Sequence, residues 1–361
     1  SLRFAKSEQQ NNRFGPLSEI YTYSHIKMIK TDILIIGAGP VGLFTVFEAG
    51  LLKLHCHIID ALPQPGGQLS EIYPKKPIYD IPGYPSILAE ELVQNLMEQI
   101  EPFKPGFTLG ERAEKLERLE DNSFKITTNK GTEINAPVIA IAAGLGRFEP
   151  RKPPIDNIER FEDHGVEYFI KNPEVYRNKR VVLAGGGDSA LDWTIYLADV
   201  AEEVYLVHRR TGFRGAPDSA EKVLELSATG KVHLITEAQV VGLHGNGKLN
   251  EVVIRHDKNG DMTVPTDHFV PLFGMSPKLG PLQEWGLELE KEGIVVNTLD
   301  YSTNVPGIYA IGDINTYPGK LKLILCGFHE ATLMCQSAFK YIYPDKKLSF
   351  KYTTVQGVQG F

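Results

Sequence analysis

Short apolar runs, each followed by a glycine-rich turn and a helical pattern, recur along the chain. The run at 33–36 leads into a glycine turn, then into apolar positions at helical spacing, and then into a second run at 56–60. The same order of run, turn, helical pattern and run recurs between 181 and 208. A short, fully apolar run is typical of a parallel strand that is buried on both faces. Each repeat therefore predicts a βαβ unit.

The rest of the pattern predicts further helices and strands around these two units. Helical spacing is found over 90–100 and over 327–341, while 62–85 is rich in Pro and Gly, lacks a period and predicts a functional loop. The segment 231–267 predicts strands that include a hairpin with its turn at 244–247. Additional strands are predicted over 113–119, 124–128, 138–142, 269–273 and 308–311.

The pattern indicates an α/β fold with two Rossmann-like, three-layer nucleotide-binding domains, the second inserted in the first. The first domain is predicted over 28–146 and resumes over 273–343, and the inserted domain covers 147–272. Residues 1–27 have no sustained period and are interpreted as an N-terminal extension. Residues 344–361 are interpreted as a C-terminal extension.

Composition narrows the functional classes. The 361 residues are 42% hydrophobic and 23% charged, which is typical of a globular protein. A net charge of −7 argues against a nucleic-acid partner, and no apolar stretch is long enough for a membrane span. Cys56, Cys326 and Cys335 lack metal-ligand and disulfide spacing, so we expect no metal site and a cytoplasmic protein.

The first glycine turn has the pattern of a dinucleotide-binding site. Gly37 suits a tight turn between strand and helix, Gly39 lets the backbone approach a pyrophosphate, and Gly42 lets the helix pack closely on the strand. The N-terminus of the following helix offers free N–H groups to the phosphates. Asp60, at the end of the second strand, is placed to bind a ribose hydroxyl pair.

The second glycine turn has a basic segment where the first domain has an acid. His208-Arg209-Arg210 ends its second strand, and Arg214 follows shortly afterwards. Because guanidinium groups bind a phosphate in a bidentate way, this segment predicts binding of the 2′-phosphate of NADPH in preference to NADH. The candidate NADPH-binding residues are Gly185, Gly187, Asp188, Ser189, His208, Arg209, Arg210 and Arg214.

Six motifs together resemble the low-molecular-weight thioredoxin reductases, which are FAD- and NADPH-dependent flavoproteins. That family carries a Cys-x-x-Cys before its second glycine motif, where this chain has no cysteine over 165–171. The chain is therefore similar to the branch without the disulfide, the thioredoxin-reductase-type ferredoxin–NADP(+) reductases. The motifs are Gly37-x-Gly39-x-x-Gly42, Gly66-Gly67-Gln68, Ala142-Ala143-Gly144, Gly185–Ala190, His208-Arg209-Arg210 and Gly312-Asp313.

The resemblance implies FAD in the first domain and NADPH in the inserted one. It implies a flavin ring stacked between Tyr73 and an aromatic of the partner subunit's C-terminal extension, for which Tyr352 is the candidate and Phe350 the alternative. A hydroxyl near the flavin would come from Thr354 or Thr353. Other FAD contacts implied in this way are Asp60, Gly67, Gln68, Ala113, Phe148 and Asp313.

The same resemblance implies ferredoxin or flavodoxin as the electron partner, a homodimer, and hinges at 144–151 and 274–278. An acidic partner would dock on basic residues, and the candidates are Lys320, Lys322, Lys340, Lys346, Lys347 and Lys351. His329 could tune the flavin or cap the final helix. Two alternatives stay open: a disulfide or peroxide reductase that uses cysteines on a partner protein, and a flavin redox sensor without catalysis.

Overall fold

The computed structural model describes residues 28–144, 146, 149–276, 278–291, 293–348, 353, 357 and 358. The predicted N-terminal extension at 1–27 and most of the predicted C-terminal extension lie outside the described residues. So do four candidate flavin contacts, namely Phe148, Phe350, Tyr352 and Thr354. No helix in the described part of the chain combines the length and the apolar character needed to cross a bilayer.

A five-stranded parallel sheet forms the centre of the first domain. Its middle strand, Ile33–Ile36, is buried at all four positions, as the apolar run predicts. Three helices pack around this sheet: α1 (Pro40–Leu51), α3 (Ala89–Ile100) and α6 (Ile324–Ile342), whereas α2 (Gln68–Glu71) is a single turn. The strand order is Ile308–Ala310, Val138–Ile141, Ile33–Ile36, Cys56–Asp60 and Gly106–Leu109.

Smaller sheets complete the first domain. Phe124, Ile126 and Ile134 of a four-stranded sheet are buried in the same core as the parallel strands. The four strands, in spatial order, are Ile29–Lys30, Glu133–Ala136, Phe124–Thr128 and Ala113–Arg118. A second small sheet contains Leu289–Glu290, Gly293–Val295 and Asn315–Thr316, and a third pairs Pro77–Ile78 with Ile87–Leu88.

The inserted domain repeats the parallel arrangement with a core of its own. Its helices are α4 (Asp188–Leu197) and α5 (Pro217–Ala228). The parallel strands lie in the order His233–Ile235, Glu203–Val207, Arg180–Ala184 and His268–Pro271. An antiparallel sheet of Ala238–Gly245, Leu249–His256 and Gly260–Pro265 packs beside them. The predicted α/β fold with two Rossmann-like domains is confirmed.

The two connections between the domains pair with each other. Glu149–Pro150 and Met275–Ser276 form a short antiparallel ribbon, and Arg151 N donates to Gly274 O at 3.0 Å. Both predicted hinges therefore contribute to one structural element. A relative movement of the domains would have to bend this ribbon.

Several predictions of individual elements were incomplete. Helix α5 was missed, although Pro217 at its first turn, followed by strong helix formers, is a start signal. The strands Gly106–Leu109 and Glu133–Ala136 were missed as well. The final helix begins at Ile324, so the exposed His329 lies in its second turn and cannot be its cap.

Candidate nucleotide-binding sites

A cavity of about 680 Å³ opens in the first domain around the glycine turn. It lies at the carboxyl ends of the parallel strands, where ligands of open α/β sheets bind. Of the described FAD candidates, Gly42 and Thr353 lie outside its lining. The candidates that line it are Gly37, Gly39, Asp60, Gly67, Gln68, Tyr73, Ala113 and Asp313.

The glycines of the first turn are required by close approaches of the backbone. Gly37 has φ of +110°, and a Cβ there would lie 2.3 Å from Ala142 O. A Cβ at Gly42 would lie 1.9 Å from Gly37 O. A Cβ at Gly39 would meet nothing within 4 Å, because this residue faces open space. The turn is thus tightly packed against the protein at Gly37 and Gly42, whereas Gly39 leaves space for a ligand.

Asp60 holds the glycine turn in place. Its Oδ2 accepts a hydrogen bond from Ala38 N at 2.6 Å, and its Oδ1 accepts one from Leu62 N at 2.8 Å. Burial raises the pKa of this carboxyl, and the two backbone N–H groups oppose that rise. Asp60 therefore fixes both the glycine turn and the start of the loop that follows its own strand, in addition to its predicted role at the ribose.

Tyr73 lies between the cavity and the inserted domain. Its ring packs against the cores of both domains. Burial, together with the carboxylates of Asp313 and Asp80, raises its pKa to about 12, so the phenol stays protonated. Two ion pairs join the segment around Tyr73 to the inserted domain: Lys76 to Asp192 at 2.8 Å, and Lys171 to Glu71 at 2.6 Å.

One part of the cavity wall was not identified from the sequence. Leu279, Pro281 and Leu282, which follow the second interdomain connection, line the cavity together with Glu111 and Ile324. The predicted hinge ends at residue 278, immediately before these side chains. In the sequence this segment contains Pro and Gly and resembles an ordinary loop. Only the tertiary packing shows that it lines the cavity.

The predicted basic docking residues do not form one cluster. The Lys320 side chain is 7% exposed and pairs with the buried Glu330, so it is not available for docking. Lys322 precedes α6, whereas Lys340, Lys346 and Lys347 lie at or beyond its other end. A helix of 19 residues is about 28 Å long at 1.5 Å per residue. Lys351 lies outside the described residues.

The second glycine turn is built in the same way as the first but opens at the surface. Gly185 N donates to Val207 O at 3.1 Å, as Gly37 N donates to Ile59 O at 2.8 Å. A Cβ at Gly187 would meet nothing within 4 Å. Gly39 and Gly187 therefore leave the backbone open at corresponding positions of the two turns. Asp188 and Ser189, the first two residues of α4, are exposed.

His208 lies beneath the second turn and not among exposed phosphate-binding groups. Its ring is buried and stacks on Phe213, and its Nε2 donates to Gly212 O at 3.0 Å. A Cβ at Gly186 would lie 2.1 Å from the His208 ring, so this glycine makes room for the imidazole. Burial, followed by the charges of Arg209 and Arg210, lowers the pKa of His208. The structure thus gives His208 a supporting position below the turn.

Three arginines follow the strand that ends beside the open turn. Arg209, Arg210 and Arg214 are exposed, and none of them pairs with a carboxylate in the described part of the chain. Arg214 N donates to Gly186 O at 2.7 Å, and Asp188 Oδ1 accepts from Ala216 N at 2.7 Å. The backbone around Arg214 is therefore fixed beside the turn, while its charge remains free to bind an anion.

Two of the three cysteines are unsuited to redox catalysis within this chain. All three are free, and Cys56 and Cys335 are buried. Burial raises the pKa of both thiols, which keeps them protonated and unreactive. Among the described residues, no group of three or more His, Cys, Asp or Glu side chains could hold a metal ion.

Comparisons with known proteins agree with this geometry. Residues 31–331 match the family described as pyridine nucleotide-disulphide oxidoreductase. The chain is 72% identical over 337 residues to ferredoxin–NADP reductase 2 of Christiangramia forsetii, covering 92% of this chain and 95% of that one. It is 68% identical over 336 residues to the ferredoxin–NADP reductase of Flavobacterium johnsoniae, with coverage of 92% and 95%.

A solved structure shares the fold. The thioredoxin reductase of Lactococcus lactis, in a form described as the FR conformation, superposes with a TM-score of 0.76. It covers 87% of this chain and 99% of its own, at 24% identity. This likeness shows the architecture alone.

Proposed function

The chain belongs to the pyridine nucleotide-disulphide oxidoreductase family, and on this premise we propose that it transfers electrons between NADPH and ferredoxin through bound FAD. The observation that carries the proposal is the pair of glycine turns, one lining a deep cavity and the other followed along the chain by exposed, unpaired arginines. The ferredoxin–NADP(+) reductase activity predicted from the resemblance is confirmed by the curated relatives.

The residues of the cavity fit FAD. Gly39 leaves clear space beside the N-terminus of α1, where backbone N–H groups can receive a pyrophosphate. Asp60 lies at the end of the second strand, as a ribose-binding acid should. Bound FAD would accept a hydride from the nicotinamide and release electrons one at a time.

The side chains of this enzyme bind, orient and shield, and none of them is required as a nucleophile. Tyr73 contributes an aromatic wall between the cavity and the inserted domain, and it stays protonated at neutral pH. Arg209, Arg210 and Arg214 are placed to bind the 2′-phosphate of NADPH in the open site. The predicted stacking role of Tyr73 and the individual nucleotide contacts remain proposals.

Docking of the electron partner is proposed beside the start of α6. Leu321, Leu323 and Leu325 are exposed there, Lys322 lies among them, and Ile324 lines the cavity. A mixed apolar and basic surface suits an acidic protein, since charge guides the encounter and apolar area stabilises the complex. Flavodoxin is the alternative partner to ferredoxin at this surface.

A homodimer and a cytoplasmic location are also proposed. The resemblance places an aromatic residue of the partner subunit over the flavin, and the candidates Tyr352 and Phe350 belong to the C-terminal extension. Three free thiols are typical of a reducing compartment. Light scattering of the purified protein would test the dimer.

Reduction of cytochrome c driven by NADPH, with and without added ferredoxin, tests the function. We expect the rate to depend on ferredoxin, to be much lower with NADH, and to stay low when an aromatic disulfide replaces ferredoxin. If NADPH bleached the flavin but ferredoxin had no effect, the ferredoxin proposal would be wrong. A protein that bound FAD but was not reduced by NADPH would support a non-catalytic sensor.

A further inference from the structure

A buried carboxylate on α6 collects hydrogen bonds from the loop that follows the strand Ile308–Ala310. Glu330 is 1% exposed. Its Oε2 accepts from Gly312 N at 2.6 Å and from Asn315 Nδ2 at 2.8 Å. Its Oε1 accepts from Tyr317 OH at 2.9 Å and from Lys320 Nζ at 2.5 Å. One carboxylate thus binds four residues of a single loop.

This arrangement accounts for a charge that would otherwise be costly to bury. Lys320 supplies the counter-ion, with its side chain only 7% exposed, and its ammonium lies 5.2 Å from the centre of the Tyr317 ring. Asn315 Nδ2 also donates to Ala310 O at 2.9 Å, so both of its acceptors fix the orientation of the amide. A buried ion pair whose remaining sites are hydrogen-bonded specifies one loop conformation, and removal of one partner is costly.

The loop that Glu330 holds is part of the cavity wall. Gly312 and Asp313 line the cavity, and Gly312 has φ of +75°, which makes the turn depend on external support. The same turn packs against Val41 at the first turn of α1, and a Cβ at Gly327 of α6 would lie 2.3 Å from Val41 Cγ2. The glycine turn, the Gly312–Asp313 turn and α6 therefore meet at one point.

We propose that Glu330 is a positioning residue for FAD, which holds the Gly312–Asp313 turn in the conformation that receives the cofactor. The proposal rests on the proposed function only in that FAD occupies this cavity, and it does not depend on the electron partner. Glu330 itself does not line the cavity and would act through Gly312 N and the 312–320 loop. Lys320 then serves this positioning network and not the docking surface.

The test compares FAD binding and folding stability in matched variants. Glu330→Gln keeps the size of the side chain but removes its charge, and we expect it to raise the FAD dissociation constant by about tenfold or more, because hydrogen bonds to an anion are lost. Binding is measured by titrating the FAD-free protein with FAD and following the flavin fluorescence. Thermal unfolding is measured with and without FAD.

Glu48→Gln provides the control, at the contact between α1 and α6. Glu48 of α1 lies beside Thr332 of α6, is partly buried, and lies outside the cavity lining. We expect this variant to change the unfolding temperature by the same amount with and without FAD and to keep the FAD dissociation constant within about twofold. Glu330→Gln should instead lose part of the stabilisation that FAD provides.

A double variant separates the loss of FAD positioning from the loss of stability that an unpaired buried charge causes. In Lys320→Met with Glu330→Met no buried charge is left unpaired, so we expect unfolding of the FAD-free protein to return towards that of the wild type. FAD binding should stay weak, since Gly312 N still lacks its acceptor and Asn315 Nδ2 keeps only Ala310 O. Wild-type FAD affinity in Glu330→Gln or in the double variant would overturn the proposal. If the wild type bound FAD but did not reduce ferredoxin, the proposed function would fail while this test stayed valid.

Discussion

The two nucleotide-binding domains each contain a glycine turn of the same construction, but they differ at the residue that follows the second strand's last apolar position. In the first domain Asp60 accepts a hydrogen bond from Ala38 N and borders the cavity. In the inserted domain His208 takes the corresponding position, and its ring fills the space beneath Gly186. The acid therefore remains part of the ligand site, whereas the histidine supports the backbone and leaves ligand binding to the following arginines.

The difference extends to how each site meets solvent. The first turn borders a cavity of about 680 Å³ that is closed in part by Tyr73 and by residues after the second connection. Among the described residues, the arginines at the second turn are exposed and have no carboxylate partner. A deep, partly covered cavity favours a retained cofactor, and an exposed, charged site favours one that exchanges, which matches FAD and NADPH respectively.

The largest expected effect concerns the third small residue of each turn. Gly42→Ala places a methyl 1.9 Å from Gly37 O, so the backbone must move, and we expect a loss of about 3 kcal/mol of stability together with most of the bound FAD. Ala190→Gly, the reciprocal change at the corresponding position, should cost about 1 kcal/mol. Thermal unfolding and flavin absorbance per protein measure both. Full FAD content in Gly42→Ala would show that the turns are less different than their geometry indicates.

A smaller effect is expected when the open site loses its charge. The triple variant Arg209→Ala, Arg210→Ala and Arg214→Ala should lower kcat/KM for NADPH by about 100-fold, because charge-assisted bonds to the 2′-phosphate are lost. NADH, which lacks that phosphate, should be used as before, and FAD content should be unchanged. Arg255→Ala is the control, since this exposed arginine of the same domain already pairs with Asp261. An equal loss for both nucleotides would contradict the assignment.

The smallest effect is a dependence of stability on pH that both domains share. His57 bonds to Thr108 Oγ1 at 2.8 Å beneath Gly106, as His208 lies beneath Gly186. Burial lowers the pKa of both rings, so the folded protein binds fewer protons than the unfolded chain near the ordinary histidine pKa of about 6.5. Their stabilising contribution is present above that pH and is lost as the pH falls from it towards the lowered pKa values of the folded rings.

The variants His57→Gln and His208→Gln, alone and combined, separate the two domains. Unfolding temperatures at pH 7.5 and 5.5 measure the drop on acidification, which should be smaller in each single variant and smallest in the double variant. An undiminished drop in the double variant would show that other groups control acid stability.

Much of the fold could be predicted because the repeated pattern is local. Four consecutive apolar residues at 33–36 predict a buried strand, and the structure places that strand at the centre of the sheet. Helix α5 was missed because its exposed residues carry little hydrophobic periodicity and only Val223 is buried. Its start signal at Pro217 was the better guide, since a helix N-terminus depends on local backbone chemistry.

The sequence by itself determined the two glycine turns, the acid after one and the arginines after the other, because these residues are close along the chain and act through local geometry. Only the tertiary structure decided that Lys320 is buried against Glu330, that His208 lies beneath Gly186, and that Leu279 and Leu282 border the cavity. Each of these depends on segments far apart in the chain. Burial and charge pairing are properties of the packed molecule, and residue type alone does not specify them.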